Sequence, residues 1–332
     1  VNLTVSIAIY YPFFKMLDNR TLASELGSES GHKMKTKRLL NCTAADFKSF
    51  DKDQLLESIR GSAGRTIVAE NDVQIDPMSR GITNAEFVAA FGADLILLNL
   101  FDCENGAIKG LPTTDDPIRF LQCLTGRPIG VNLEPVDDCA EQMEQLTTIA
   151  TGRLATKKNM ARAEALGFDF ICLTGNPSTG VSNKEITAAI KQARAIFSGI
   201  IIAGKMHGAG VNEPVLDEEI ASAFIQAGAD VILVPIAGTI PGLSEQHMSD
   251  LVAFIHQKEK LVMGTIGTTQ EGADTGTIRA LALTSKRAGC DLHHIGDAGF
   301  SGTADPENIL QLSIAIRGKR HTYHRMAVSV NR

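Results

Sequence analysis

Phe170-Ile-Cys-Leu-Thr174, Ile200-Ile-Ile-Ala-Gly-Lys205, Val231-Ile-Leu-Val-Pro235, Leu261-Val-Met-Gly-Thr265 and Asp291-Leu-His-His-Ile295 share one pattern. Each is a short apolar run that ends in polar or glycine-rich residues, and their starts lie about 30 residues apart, the length of one βα unit. Working back toward the N-terminus, Thr66–Glu70, Asp94–Leu100 and Pro128–Glu134 have the same character and bring the number of strands to eight. The segments between them read as helices: Asn84–Phe91, Pro117–Leu124, Lys157–Leu166, Lys184–Phe197, Glu218–Ala227, Gln246–Gln257 and Thr275–Ala288, with Pro306–Arg317 as the last.

A second repeat runs in step with the first. Phe91-Gly-Ala-Asp, Leu166-Gly-Phe-Asp, Ala227-Gly-Ala-Asp and Ala288-Gly-Cys-Asp each precede an even-numbered strand, and the glycine can take the left-handed conformation that ends a helix. Eight βα units predict an α/β fold, a single (β/α)8 barrel of the TIM type. An open doubly wound sheet fits less well, because no early dinucleotide fingerprint occurs. Thr43–Arg60 reads as one or two helices closing the barrel bottom, and the acidic stretch Asp137–Gly152 as a loop or short helix beside the mouth.

Composition bounds the function. A chain of 332 residues with 44% hydrophobic residues buries a sizeable core in one domain. The net charge of −6 gives no general footprint for nucleic acid, although Arg317, Lys319, Arg320 and Arg325 form a local basic tail, read as a solvated or subunit-facing segment. Six cysteines without a CxxC pair argue against a zinc cluster and a disulfide framework, and fit a reducing cytoplasm. The apolar stretch Val5–Phe14 is about half of what a membrane helix needs. Residues 1–33 differ in texture from the rest. The expected division is a 1–33 extension, read as vector-derived or upstream sequence or a loose N-terminal arm, followed by a barrel domain over 34–332 with a natural start at Met34.

In a barrel of this type, function sits at the carboxyl ends of the strands. Those ends carry Glu70, Asn99, Asp102, Asn132, Glu134, Thr174, Asn176, Lys205, His207, Thr265, Gln270, Glu271, Asp274, His293, His294 and Asp297. Period-two alternation sets Lys205 and His207 on one face of their strand. Lys205 is the candidate nucleophile or anion-binding cation, and His207, with His293 or His294, the candidate acid-base group. Glu134 and Asp297 complete the catalytic candidates. Glu70, Asp102, Glu134 and Asp297 together suggest oxygen ligands for Mg²⁺. The glycine-rich loops after strands seven and eight offer Gly267, Thr268, Gly299, Ser301 and Gly302 to a substrate phosphate or other anion. No nucleotide cofactor is specified, since neither a Walker loop nor a strand-anchored GxGxxG occurs.

Leu39-Leu-Asn-Cys-Thr-Ala-Ala-Asp-Phe, Gly92-Ala-Asp-Leu-Ile-Leu-Leu-Asn, Val131-Asn-Leu-Glu-Pro, Leu173-Thr-Gly-Asn-Pro and the segment Gly264 to Asp297 resemble a bacterial barrel family. Its members are often labelled phosphoenolpyruvate phosphonomutase-like and sometimes haloacid dehalogenase-like. The resemblance covers Met34 to Arg332 and implies a TIM-type barrel. A haloacid dehalogenase needs Asp-x-Asp at the end of its first strand; here that strand ends Val68-Ala-Glu-Asn, and the label is rejected. The phosphonomutase group implies acidic ligands on Mg²⁺, matched by Glu70, Asp102 and Glu134, but its Lys-Lys-Cys-Gly gating loop is absent.

These readings converge on an enzyme for a small phosphorylated or carboxylated metabolite: a lyase, aldolase or isomerase that stabilises an enolate. The alternatives are a non-catalytic metabolite-binding or regulatory barrel and a metal-dependent phosphate-ester hydrolase. The expected partner is a small anionic substrate, with no nucleic acid or membrane partner, in a chain that can associate as a homo-oligomer.

Overall fold

Every strand expected from the sequence forms. The computed structural model describes residues 36–332, so the 1–33 extension lies outside the described residues. The strands are β1 (Thr66–Asp72), β2 (Leu95–Asn99), β3 (Ile129–Leu133), β4 (Phe170–Leu173), β5 (Ile200–Gly204), β6 (Val231–Pro235), β7 (Leu261–Ile266) and β8 (Leu292–Ile295). They pair in parallel in chain order and close between β1 and β8, which makes the (β/α)8 barrel.

Two short helices, α1 (Ala44–Ser49) and α2 (Lys52–Gly61), precede β1. The outer ring is α3 (Asn84–Ala90), α4 (Pro117–Thr125), α5 (Lys157–Leu166), α6 (Asn183–Arg194), α7 (Glu218–Ala227), α8 (Glu245–Gln257), α9 (Thr275–Ala288) and α10 (Pro306–Ala327). The expected end of the last helix at Arg317 is corrected: the helix resumes beyond Gly318, whose φ of 75° breaks it. Glycine takes that angle without a Cβ clash.

Strand alternation divides the core. Inward residues Val68, Leu95, Leu97, Phe170, Cys172, Ile200, Ile202, Val231, Leu233, Leu261, Met263 and Leu292 pack with Leu39, Cys42, Phe47, Leu55 and Ile59. The N-terminal segment and α1–α2 therefore close the barrel bottom, as the sequence implied. Outward residues such as Ile67, Ile96, Val131, Ile171, Ile201, Ile232 and Val262 meet the helix ring.

The Gly-x-Asp repeat has a job at the bottom. Asp94, Asp169, Asp230 and Asp291 accept the amides of Ile67, Ile129, Ile201 and Val262, each from the odd-numbered strand that precedes the aspartate, at 2.8–3.0 Å. Each also takes a side chain from the helix ring: Arg317 of α10, Gln122 of α4, Arg194 of α6 and His256 of α8. The barrel is thus tied at its base by four copies of one clamp, with the repeated glycines at positive φ ending the helix before each aspartate.

The basic tail is split by the fold. Arg317 and Arg325 are buried and both pair with Asp94, whereas Lys319 and Arg320 are exposed. No helix among the described residues is long and apolar enough to cross a membrane.

Candidate active site

Along six of the eight inward rows the residue type changes from apolar to polar toward the carboxyl end. Val68 is followed by Glu70, Leu97 by Asn99, Gly130 by Asn132, Cys172 by Thr174, Met263 by Thr265 and Leu292 by His294, and all six polar residues are buried. Sheet registry fixes their heights, because β1 pairs with both β2 and β8, and β3 with β4. The result is a polar floor at the mouth above an apolar barrel.

Three asparagines organise that floor. Asn99 and Asn176 exchange side-chain hydrogen bonds, Nδ2 to Oδ1 at 2.8 Å and 3.0 Å. The second proton of Asn99 Nδ2 goes to Asp297 Oδ2 at 2.9 Å. Asn132 Nδ2 donates to Glu70 Oε1 at 2.5 Å and to Asn99 Oδ1 at 3.1 Å. Amides from three strand ends thus link Glu70 of β1 to Asp297 beyond β8.

Both carboxyls are held near neutrality. Burial, followed by the charge of Glu271, pushes Glu70 up to about 8. Burial, followed by the charge of Glu70, pushes Asp297 up to about 7. Burial also raises Glu271 and Asp72, and it lowers His294 to about 4, so the imidazole is neutral. His294 Nε2 lies 3.2 Å from Glu70 Oε2 without hydrogen-bond angles, which makes it a neighbour of the acid and not its bonded partner.

Glu134 differs. Its Oε1 receives Arg153 at 2.5 Å and its Oε2 the amide of Asn176 at 3.0 Å. Arg153 belongs to the short helical turn Thr151–Arg153, at the end of the acidic stretch that the sequence placed beside the mouth. Sequence reading missed it, although the Glu134-to-Leu154 bridge brings that turn onto the end of β3.

Several expected positions are corrected. His293 points outward, bonded to Ser285 of α9 and to the Gly64 carbonyl at the barrel's base, and stands apart from the mouth. Lys205 follows the inward-facing Gly204 position, so alternation turns it away from the centre; it is buried against Glu213 at 2.5 Å. Burial lowers both Lys205 and His207. Asp274 caps α9, accepting the amides of Gly276 and Thr277.

The implied Mg²⁺ ligand set does not fit. Asp102 accepts the Glu104 amide and Asn105 Nδ2 within its own loop, while Glu134 is committed to Arg153 and Asn176. Among the described residues, no three histidine, cysteine, aspartate or glutamate side chains gather to hold a metal ion.

The glycine-rich loops show mostly tight packing. A Cβ on Gly299 would lie 2.3 Å from the Thr303 carbonyl, and Gly302 has a φ of 74°. The Gly302 and Ser301 carbonyls accept from the Asp72 amide and Asn84. A Cβ on Gly267 would press on Met206 at 3.1 Å, and Thr268 Oγ1 bonds the Thr239 carbonyl. Beyond β5–β7, His207, Gly238, Thr239, Pro241, Thr268 and Gln270 line a cleft of about 660 Å³.

Two physical features set the mouth apart from the rest of the barrel. Leu100, Ser178, Ala209, Thr268, Thr269 and Ser301 have φ between 52° and 71° in loops that follow strands, and strain of this kind collects where structure serves a ligand. In addition, Asn132 Oδ1, Thr174 Oγ1, Arg153 Nε, Glu271 Oε2 and both His294 nitrogens are buried without a partner. Buried polar atoms are rarely left so without a reason.

The chain belongs to the family described as Domain of unknown function (DUF7916), whose model matches residues 40–332. No curated protein sequence matches it. Solved structures of similar shape include 2,3-dimethylmalate lyase, a PEP mutase/isocitrate lyase superfamily member, with 13% identity, 76% of this chain and 81% of that chain covered, and a TM-score of 0.46. An archaeal fructose-1,6-bisphosphate aldolase shows 13% identity, 77% and 96% coverage and a TM-score of 0.49. For oxaloacetate acetylhydrolase the values are 14%, 76% and 81%, and 0.44. These likenesses are of barrel shape only.

Proposed function

We propose that this member of the DUF7916 family is an enzyme that moves a proton at a carbon beside a carbonyl group, the step common to many lyases, aldolases and isomerases. The observation that carries the reading is the pair of carboxyls, buried Glu70 and half-buried Asp297, held at about 8 and about 7 and joined through Asn132 and Asn99. Groups poised near neutral pH are what general acid-base chemistry needs.

The roles follow from the bonds each makes. Asp297, the more acidic of the two, is the base: it takes a proton from carbon, and the C–H electron pair becomes the enolate double bond as charge moves to the carbonyl oxygen. Glu70, protonated at neutral pH, donates a hydrogen bond from the oxygen not engaged by Asn132 to that developing charge. Neutral His294 stands beside it and adds no cation. Return of that proton to the neighbouring carbon, or to the opposite face of the same one, completes an isomerisation, and loss of a leaving group from the β-carbon completes an elimination. In a retro-aldol cleavage the base instead takes the β-hydroxyl proton, the C–C bond breaks to give an aldehyde and the enolate, and the enolate carbon is then protonated. Lys205 and His207 line the β5 side, where Lys205 acts as a buried ion-pair partner of Glu213. The six unpaired cysteines suit a reducing compartment such as the cytoplasm.

The test is deuterium uptake from heavy water into small carbonyl compounds, followed by proton NMR. Wild type should exchange an α-proton in at least one compound. Asp297→Asn and Glu70→Gln should each slow that exchange by about 10²-fold or more with folding intact. Exchange unchanged in both variants contradicts the assignment.

A further inference from the structure

We infer that the barrel carries a second ligand site, at its base and not at its mouth, which binds a small phosphorylated compound. This goes beyond the proton-transfer reading and does not depend on it. The place is a cavity of about 460 Å³ lined by Asn41, Arg320, His321, Tyr323 and His324, a volume within the range of about 300–1,000 Å³ that small-molecule sites occupy. It lies where α10 crosses the segment before α1: Arg325, one turn beyond His321, donates to the carbonyls of Leu39 and Cys42, and both of those residues pack under the barrel. Asn41, Arg320, Tyr323 and His324 are exposed and His321 is half-buried, so their polar ends are open to a ligand.

The first argument is charge. After burial, the strongest influences on His321 are the charges of Arg320, Arg65, Arg38 and Arg317, every one of them positive. Arg317 is committed to Asp94, whereas among the described residues Arg38, Arg65 and Arg320 have no carboxylate within ion-pair distance. A guanidinium cannot shed its proton to relieve such crowding, so a bound anion is what offsets it.

The second argument is the backbone. Gly318 breaks α10, and the helix that resumes beyond it puts Arg320 and His321 in its first turn, where the helix dipole is already positive. Cations placed there oppose the dipole, and an anion complements both. The third argument is the kind of ligand. Guanidinium groups pair with phosphate through two parallel hydrogen bonds, and Tyr323, 50% exposed, sets an aromatic ring beside them for the organic part of a phosphate ester. A single local cavity in a chain of net charge −6 suits a small ligand better than a nucleic acid.

The experiment uses the full chain in thermal unfolding and titration calorimetry, at matched ionic strength, with inorganic phosphate, ribose 5-phosphate and AMP, with ribose and adenosine as unphosphorylated counterparts, and with a short DNA duplex. At least one of the three phosphate probes should bind and raise the unfolding midpoint, while ribose and adenosine should not. Arg320→Gln and Arg38→Gln should each weaken that binding about tenfold or more, the value of one charge-assisted hydrogen bond, with unliganded midpoints close to that of wild type. Failure of all three phosphate probes to bind wild type overturns the inference, whether or not either variant folds. So does binding of ribose or adenosine as tight as that of its phosphate, or binding of the duplex in preference to all three probes. Phosphate binding that either folded variant retains at full strength would place the ligand elsewhere, the mouth included, and would overturn it as well.

Discussion

At the bottom of the barrel, Asp94, Asp230 and Asp291 each receive a strand amide and a basic side chain from the helix ring. At the mouth, Glu70 and Asp297 receive only neutral amides, and Glu271 only a backbone amide. On the proposed reading, the same chemical group is a fastener at one end and a proton store at the other, and the partner decides which. Asp169 makes the point from within the bottom set. Its helix partner is the neutral Gln122, and burial pushes it up to about 6. Satisfied charge fixes the strand order in place, while unsatisfied acidity at the mouth costs stability and leaves reactive groups close to their titration point.

Breaking the fastener should have the largest effect. Asp94→Ala removes the partner of both Arg317 and Arg325 and leaves two buried guanidinium groups. It should destabilise the fold by about 3–5 kcal/mol in urea unfolding. A loss under 1 kcal/mol would mean that the clamp is decorative.

The opposite change should stabilise the mouth. Glu70 binds its proton more tightly when folded, at about 8 against an ordinary 4.5, so wild-type stability is favoured below the ordinary value and declines as pH rises through about 8. Glu70→Gln lacks that decline. Its stability relative to wild type should climb between pH 4.5 and 8 by an amount on the order of a few kcal/mol. A gap that stays constant with pH would show that Glu70 is not held protonated.

A smaller effect separates packing from charge. Gly130 faces the ring of Phe170, which a Cβ would approach to 2.1 Å. Gly130→Ala should cost about 1–3 kcal/mol by overpacking, independent of pH between 5 and 8. A pH-dependent loss would mean that the mouth carboxyls feel the floor beneath them.

The barrel was legible because its period is carried by many residues at once. Eight apolar runs and four Gly-x-Asp steps repeat the same message, and single deviations such as the extra turns of α10 beyond Gly318 do not blur it. The mouth was legible as a set of strand ends, and Glu70, Asn99, Asn132, Asn176 and Asp297 were all among the named residues. Their connections were not. Whether Lys205 faces in or out depends on where β5 stops, and one residue of phase reverses the answer. His293 and His294 are adjacent and identical in type, yet alternation sends one to α9 and the other to Glu70. Arg153 gave no signal of its own, since it reaches Glu134 through a loop that carries no periodicity.

The most direct test of the central claim is infrared difference spectroscopy of the carboxyl C=O stretch between pH 5 and 9, comparing wild type with Glu70→Gln and Asp297→Asn. The expected result is a protonated-carboxyl band that persists at pH 6, fades through pH 7 to 8, and loses one component in each variant. A wild-type spectrum with no such band above pH 6 would show both groups ionised and would contradict the assignment of the mouth as a proton-transfer site.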